Sequence, residues 1–420
     1  MSMVQGMLGM LVLLLIAFAV SNNRRLIRPR VAIAALLSQV AIGAFVLFVP
    51  VGKEILESAA NAVNQVFNYG DSGIAFLFGG LVSAKMTQIF GDTGFVFAFH
   101  VLPAIIFVTS LISVLYYLGA MKVIVLVLGT IFHKIIGVSK IESFSAVTTI
   151  FVGQSEMPAM VKPFVRELSG PELFAVMSSG MASVAGSVLA GYAGLGVRMD
   201  YLLAASVMAI PGGLLFAKII CPSTEESLVQ LQNVGFDEQR PANVIDAAAA
   251  GVTVGLQIAV NVGAMLLAFI GLIALADGVT GHFFGWFGHP QWTLEYLLGV
   301  LFSPLAWLIG VPWHSAQIAG GFLGQKMILN EFVAYARLSP YLHSAAAGAP
   351  LLDPKTLAIV SFALCGFANL SSIAILVGGF SVVAPERRAE VTRYGIRVVI
   401  AGTLSNLMSA TIAGMFLSLR

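Results

Sequence analysis

The sequence predicts an all-α polytopic membrane protein, built as an inverted repeat with broken helices and two re-entrant hairpins. Three observations lead there. Of 420 residues, 58% are hydrophobic and 10% charged, where an ordinary globular domain carries about a quarter charged residues, and the mean hydropathy is +0.94. Apolar runs long enough to cross about 30 Å of hydrocarbon recur along the chain. The two halves also carry related polar motifs of the kind that interrupt helices.

Taken in order, the first apolar run covers 7–20. It lacks a preceding basic region and a small-residue cleavage site, so it reads as a retained span and not a secretory signal. The second covers 31–49, with Arg24, Arg25, Arg28 and Arg30 between the two. Together with Arg387, Arg388, Arg393 and Arg397 before the final run, these arginines mark cytoplasmic loops. Both termini are then expected outside the cytoplasm. The loop at 222–246 should also face inward, yet it carries Glu225, Glu226, Asp237, Glu238 and Asp246 against Arg240 alone. Over 53–67, Ile55, Ala59, Val63 and Val66 fall on one helical face, and Lys53, Glu54, Glu57, Asn61 and Asn64 on the other. This predicts an amphipathic helix, lying on the bilayer or packed on its own protein.

Further runs at 101–118, 173–195, 201–220, 252–275 and 398–417 supply more spans. The stretch 139–168 is too polar, and too broken by Gly153 and Pro158, to be one of them, and 313–338 resembles it, with Gly320, Gly321 and Gly324 before its tip. Each reads as a hairpin that enters and leaves on one side. The spans 173–195, 201–220 and 252–275 lie between the hairpins, so three crossings turn the second upside down relative to the first.

Each hairpin carries an acidic turn, Gly153-Gln154-Ser155-Glu156 in one and Asn330-Glu331 in the other. Each is followed by a glycine-rich polar break, Gly180-Met181-Ala182-Ser183 and Gly366-Phe367-Ala368-Asn369. Exposed backbone groups at bilayer depth are tolerated only where they line a cavity or bind something. A carboxylate there costs roughly 2.5–3.5 kcal/mol on insertion scales. Glu156 and Glu331 are therefore read as functional. The expected division is 1–100 as N-terminal spans and interfacial helix, 101–245 as the first repeat and 246–420 as the second.

Other classes find less support. Net charge is +2, and no basic stripe interleaved with aromatics suggests nucleic acid. Cys221 and Cys365 lack metal-binding or redox spacing and read as small buried hydrophobes. For an intramembrane enzyme, His100, His133, His282, His289, His314 and His343 are too scattered to form a ligand set or a triad. A passive channel would need a continuous polar lining, whereas here the polar groups cluster at two tips and two breaks.

Three segments, Gly153-Gln154-Ser155-Glu156, Asn330-Glu331-Phe332-Val333-Ala334-Tyr335 and Gly366-Phe367-Ala368-Asn369-Leu370-Ser371-Ser372, resemble the signatures of the concentrative nucleoside transporter family, and the likeness runs on to the closing segment from Leu404 to Gly414. The resemblance implies eight transmembrane helices plus the two hairpins, a homotrimer in a bacterial inner membrane, and elevator-type alternating access. It assigns Gly153, Gln154, Ser155, Glu156 and Val188 to the nucleobase side of a nucleoside site, and Glu331, Phe367, Asn369 and Ser372 to the ribose side. An ionised carboxylate suits vicinal hydroxyls, and Asn and Ser can both donate and accept. No cofactor is implied. The coupling ion implied is Na⁺, held between the first hairpin tip and the first break by Thr149, Val152, Ser183 and Val184. Sodium-coupled relatives carry Asn where Thr149 stands, so H⁺ coupling through a carboxylate is the alternative.

Overall fold

The computed structural model describes residues 3–90, 95–223, 227, 229, 241–346 and 351–419. Glu225, Glu226, Asp237, Glu238 and Arg240 of the expected inner loop lie outside the described residues. Regular structure among the described residues is helical throughout. The apolar runs become α1 (Met3–Val20), α2 (Pro29–Leu47), α5 (Phe97–Tyr117), α11 (Met199–Ile220), α12 (Val244–Gly285) and α18 (Arg388–Leu417). Between α2 and α5 lie α3 (Pro50–Phe78) and the short α4 (Ala84–Phe90). Among the described residues, seven helical stretches are long and apolar enough to cross a membrane, and eight if a pair bent by 115° counts as one.

The same order of elements then occurs twice. A long apolar helix, α5, is followed by α6 (Ala120–Ile136), by α7 (Lys140–Thr148) and α8 (Met157–Val161) joined at a polar tip, by the interrupted α9 (Gly170–Ala182) and α10 (Gly186–Gly194), and by α11. In the second round α12 is followed by α13 (Leu294–Leu308), by α14 (Trp313–Ile328) and α15 (Glu331–Ala346), by the interrupted α16 (Pro354–Leu364) and α17 (Ser371–Val383), and by α18. α7 and α9 both open on a Ser-x-x-Glu capping box, Ser139 with Glu142 and Ser169 with Glu172. Each reciprocal pair satisfies two orphan N–H groups of the first turn. Glu142 also pairs with Lys218 of α11, tying the start of the first hairpin to the closing helix of its repeat.

The sequence reading omits α6 and α13. Along α6, Met121, Val125, Gly129, Phe132 and Ile136 are buried, while Val123, Ile124, Val127, Ile131 and Ile135 are exposed. Its exposed side carries Lys122, Thr130 and Lys134 among these apolar residues, so burial does not simply follow the apolar positions along it. Gly320 and Gly324 prove to be packing residues of α14 against α13 and do not break the hairpin: a Cβ on Gly320 would lie 2.6 Å from the Gly299 carbonyl oxygen, and one on Gly324 2.9 Å from Leu298 Cβ. The tip sits beyond them, at Leu329 and Asn330, next to the expected acidic turn. The amphipathic helix is longer than expected and turned by one position, packing Gly52, Leu56, Ala60, Gly70 and Ile74 inward and leaving Ile55 exposed.

α9 with α10, and α18, are 94% buried along their apolar windows, whereas α1, α5 and α12 are 22% buried and present apolar faces outward. The polar residues of α18 are accordingly internal. Gln39 of α2 donates to Ser409 Oγ at 2.9 Å, and Asn406 points at both helix breaks. Side chains of this kind hold membrane helices together where apolar contact alone gives no preference for protein over lipid.

Candidate functional site

The two breaks and the two tips meet. Asn330 accepts from Val333 N at 2.9 Å, capping α15 and setting Glu331 as its first helical residue. The Glu331 carboxylate accepts from Tyr192 OH of α10 at 3.0 Å on one oxygen and from Asn369 Nδ2 at 3.1 Å on the other. Asn369 Oδ1 in turn accepts from Ser372 N at 2.9 Å and Ser371 Oγ at 2.7 Å, capping α17 from inside the break. Ser372 Oγ donates to the Phe367 carbonyl at 2.6 Å and accepts from Gln154 Nε2 of the first tip at 2.7 Å. One hydrogen-bonded chain thus joins Gln154, Ser372, Asn369, Glu331 and Tyr192, drawn from both hairpins, the second break and α10.

These groups are secluded. Gln154, Asn369, Ser372, Glu331 and Val188 are all buried, Glu156 and Phe367 are half-buried, and Ser155 is exposed. A Cβ on Gly153 would lie 3.3 Å from Ala185 Cβ and 3.7 Å from Phe367, so the first tip sits directly on the unwound backbone of both breaks. The Gln154 amide N–H is thus taken up by Ser372. The Gln154 Oε1 oxygen is buried without a protein partner.

The residues read as ion ligands also converge. Thr149 Oγ1 donates to the Ala146 and Ser179 carbonyls at 3.0 and 3.4 Å, and Ser183 Oγ donates to the Thr149 carbonyl at 3.0 Å. Thr149, Val152, Ser183 and Val184 are all buried. Ser183 is extended, with φ −97° and ψ 174°, where α9 gives way to α10.

Three participants escaped the sequence reading. Tyr192 is a fully buried aromatic whose hydroxyl reaches Glu331. Lys326, near the end of α14 and 2% exposed, donates to Asn406 Oδ1 and to the Ala363 carbonyl, both at 2.7 Å. Asn406 Nδ2 reaches the Ala182 carbonyl at 2.7 Å and the Cys365 carbonyl at 3.0 Å. A lysine beside Gly324 in an apolar helix was the available signal for the second of these. A cavity of about 630 Å³ lies apart from this network, against Arg28, His133, Lys140 and Lys218.

The Na⁺ dependent nucleoside transporter models match the chain at residues 8–81 for the N-terminus and 201–414 for the C-terminus, and a nucleoside recognition model matches 98–199. The nucleoside permease NupC of Helicobacter pylori is 48% identical over 99% of this chain and 98% of its own. The chain belongs to the concentrative nucleoside transporter family. NupX of Escherichia coli (strain K12) is 53% identical to this transporter over 100% of both chains. Solved structures of CNTnw match it at 54% identity. One, in an inward-facing substrate-bound state, has a TM-score of 0.95 and covers 100% of this chain and 99% of its own. A variant of CNTnw in an outward-facing state has a TM-score of 0.94, covering 99% and 98%. The chain is therefore a transporter and not an enzyme, and its fold is one seen facing either side of the membrane.

Proposed function

We propose that this transporter is a cation-coupled nucleoside symporter, with the Gln154, Ser372, Asn369 and Glu331 network as its substrate site. The observation that carries the reading is that this network joins both hairpin tips to the second break through groups matched to a nucleoside. Gln154, with Gly153, Ser155, Glu156 and Val188, faces the nucleobase. Glu331, Asn369, Ser372 and Phe367 face the ribose, where the carboxylate accepts from hydroxyls and the amide and hydroxyl serve either way. Because Gln154 and Ser372 are already bonded to each other, substrate enters by exchanging that bond for its own.

The coupling ion in this reading is Na⁺, held by the Thr149 and Ser183 hydroxyls and by carbonyls of Val152 and Val184. Hydroxyl and carbonyl oxygens suit a hard cation, and the C-terminal end of α9 contributes partial negative charge. Thr149 in place of an amide favours the second reading, H⁺ coupling through Glu156 or Glu331. Residues 1–100 belong to a scaffold and the repeats 101–245 and 246–420 supply the moving unit, which carries substrate by an elevator movement within a homotrimer in the bacterial inner membrane. The two parts of α16 and α17, taken as one broken span, complete eight transmembrane helices, with both termini outside the cytoplasm.

The test is uptake of radiolabelled uridine and adenosine into proteoliposomes, with Na⁺ and pH gradients imposed separately. Accumulation driven by inward Na⁺ alone supports the symporter as stated. Accumulation driven by pH alone replaces the ion, and saturable flux that never exceeds equilibrium removes the coupling.

A further inference from the structure

The inverted repeat sets the same construction twice, and the two copies differ in charge. In the first repeat, Thr149 directly follows the last residue of α7 and reaches Ser179 O, a carbonyl in the last turn of α9, just before the break. In the second, Lys326 lies in the last turn of α14 and reaches Ala363 O, a carbonyl in the last turn of α16, again just before the break. Carbonyls of a final turn receive at most a capping N–H, as Ser179 O does from Ser183 N, and the helix presents its negative end there. At the first of these ends the side chains supplied are the Thr149 and Ser183 hydroxyls and the Asn406 amide, and none is charged. At the second the side chain supplied is an ammonium.

We infer that Lys326 is a built-in cation of the second repeat, holding at the end of α16 the place that the end of α9 leaves to a mobile coupling cation. Resting on the nucleoside-symporter reading, this makes Lys326 a positioning residue for that site. The group is sealed in the fold at 2% exposure, with the Ala363 carbonyl and Asn406 Oδ1 as acceptors at 2.7 Å each. Its partner Asn406 spends its two N–H groups on Ala182 O and Cys365 O, the carbonyls that end α9 and α16 at their breaks. Gly366 is obligatory beside it, since a Cβ there would lie 2.2 Å from Asn406 Oδ1. The ammonium therefore fixes the geometry of both breaks. It also places a positive charge near the turn that leads to Glu331, whose own hydrogen-bond partners Tyr192 and Asn369 are neutral. Removing the cation leaves an acidic group in a low-dielectric site without a counter-charge, which weakens it as a charged acceptor for ribose. One repeat then needs an ion from solution, and the other carries its own.

The experiment is chemical rescue in the purified full-length transporter, read as uridine binding by calorimetry for the parent and for Lys326→Ala. The deletion removes the ammonium and leaves its acceptors in place. Uridine affinity should fall at least about tenfold, as for loss of a charge-assisted bond. Millimolar propylammonium should restore much of that loss, and propanol of the same shape should not. Affinity within about twofold of the parent would overturn the inference, as would a loss that neither additive, or both alike, repairs. If Lys326→Ala does not fold, Lys326→Met, which keeps the volume, decides. A tenfold loss in a monodisperse protein with parent-like melting supports the built-in cation, and parent-like affinity overturns it. A parent that binds no nucleoside removes the reading beneath the inference and the inference with it. A parent that binds beside variants indistinguishable from it overturns the inference alone.

Discussion

The backbone N–H of Phe367 donates to the carbonyl oxygen of Ser183 at 3.2 Å, joining one helix break directly to the other. Ser183 also holds Thr149 through its hydroxyl, while Phe367 accepts from Ser372. The proposed ion ligands and the proposed ribose ligands are thus separated by a single backbone hydrogen bond.

That link makes the ion the first thing to test. Under Na⁺ coupling, Thr149→Asn adds an amide carbonyl and should lower the Na⁺ concentration for half-maximal uridine uptake. Ser183→Ala should raise it, by roughly one decade for a lost ligand. Uptake is measured against Na⁺ at fixed pH, then against pH without Na⁺. A wild type that ignores Na⁺ but follows a proton gradient rejects the assignment.

Glu331→Gln exchanges a charged acceptor for a neutral amide beside Tyr192 and Asn369. A charge-assisted hydrogen bond contributes roughly 1.5–3 kcal/mol, so uridine affinity should drop by about one to two decades. Deoxyuridine should lose less than uridine if the missing hydroxyl is the one Glu331 holds. Equal calorimetric affinities for wild type and variant would end the ribose assignment.

Gln154→Ala removes the donor that the first tip offers to Ser372. A neutral hydrogen bond contributes about 0.5–1.5 kcal/mol, so the nucleoside should bind about two- to tenfold more weakly. The comparison is informative across nucleobases, because uridine and adenosine present different edges to this amide. An identical loss for both bases, together with loss of binding to ribose alone, would move Gln154 away from the nucleobase.

Gly320→Ala tests packing with no bearing on the ligand. The new Cβ would stand 2.6 Å from Gly299 O and 2.8 Å from Ser303 N, both backbone atoms of α13. Overpacking of this kind costs about 1–3 kcal/mol. The detergent-solubilised variant should melt several degrees lower by fluorescence-detected size exclusion, and an unchanged melting point would contradict the close approach of α13 and α14.

Single cysteines introduced across 21–30 and 385–393 should be shielded from impermeant maleimides in intact cells if the arginines there face the cytoplasm. Labelling of both from outside would reverse the orientation.

Much of the site was legible because lipid is unforgiving. Gln154, Glu331, Asn369 and Ser372 stand out as polar groups at glycine-rich interruptions of apolar sequence, and the structure brings them into one chain of hydrogen bonds. Tyr192 was not legible, since a tyrosine in a small-residue helix looks the same whether its hydroxyl meets water or a carboxylate. Asn406 lies in the closing segment 404–414, but its partners Ala182 and Cys365 stand 224 and 41 residues away, beyond any local pattern. α13 was lost for the opposite reason: Leu297, Val300, Leu301 and Trp307 are exposed, and against lipid such a face needs no polar residues to mark it.

The Lys326 contact has a consequence for how the chain is made. Hairpin α14–α15 leaves the ribosome well before α18, because Lys326 and Asn406 are 80 residues apart. At about 5–20 residues per second, that is a delay of about 4–16 s. During it the ammonium has no amide oxygen to meet, and the Ala182 carbonyl, made earlier still, waits longer. The nascent second repeat should therefore linger in a hydrated or chaperoned setting, and the last helix to emerge acts as a keystone: ribosomes stalled before Asn406 should leave hairpin α14–α15 open to protease, and those released past it should not.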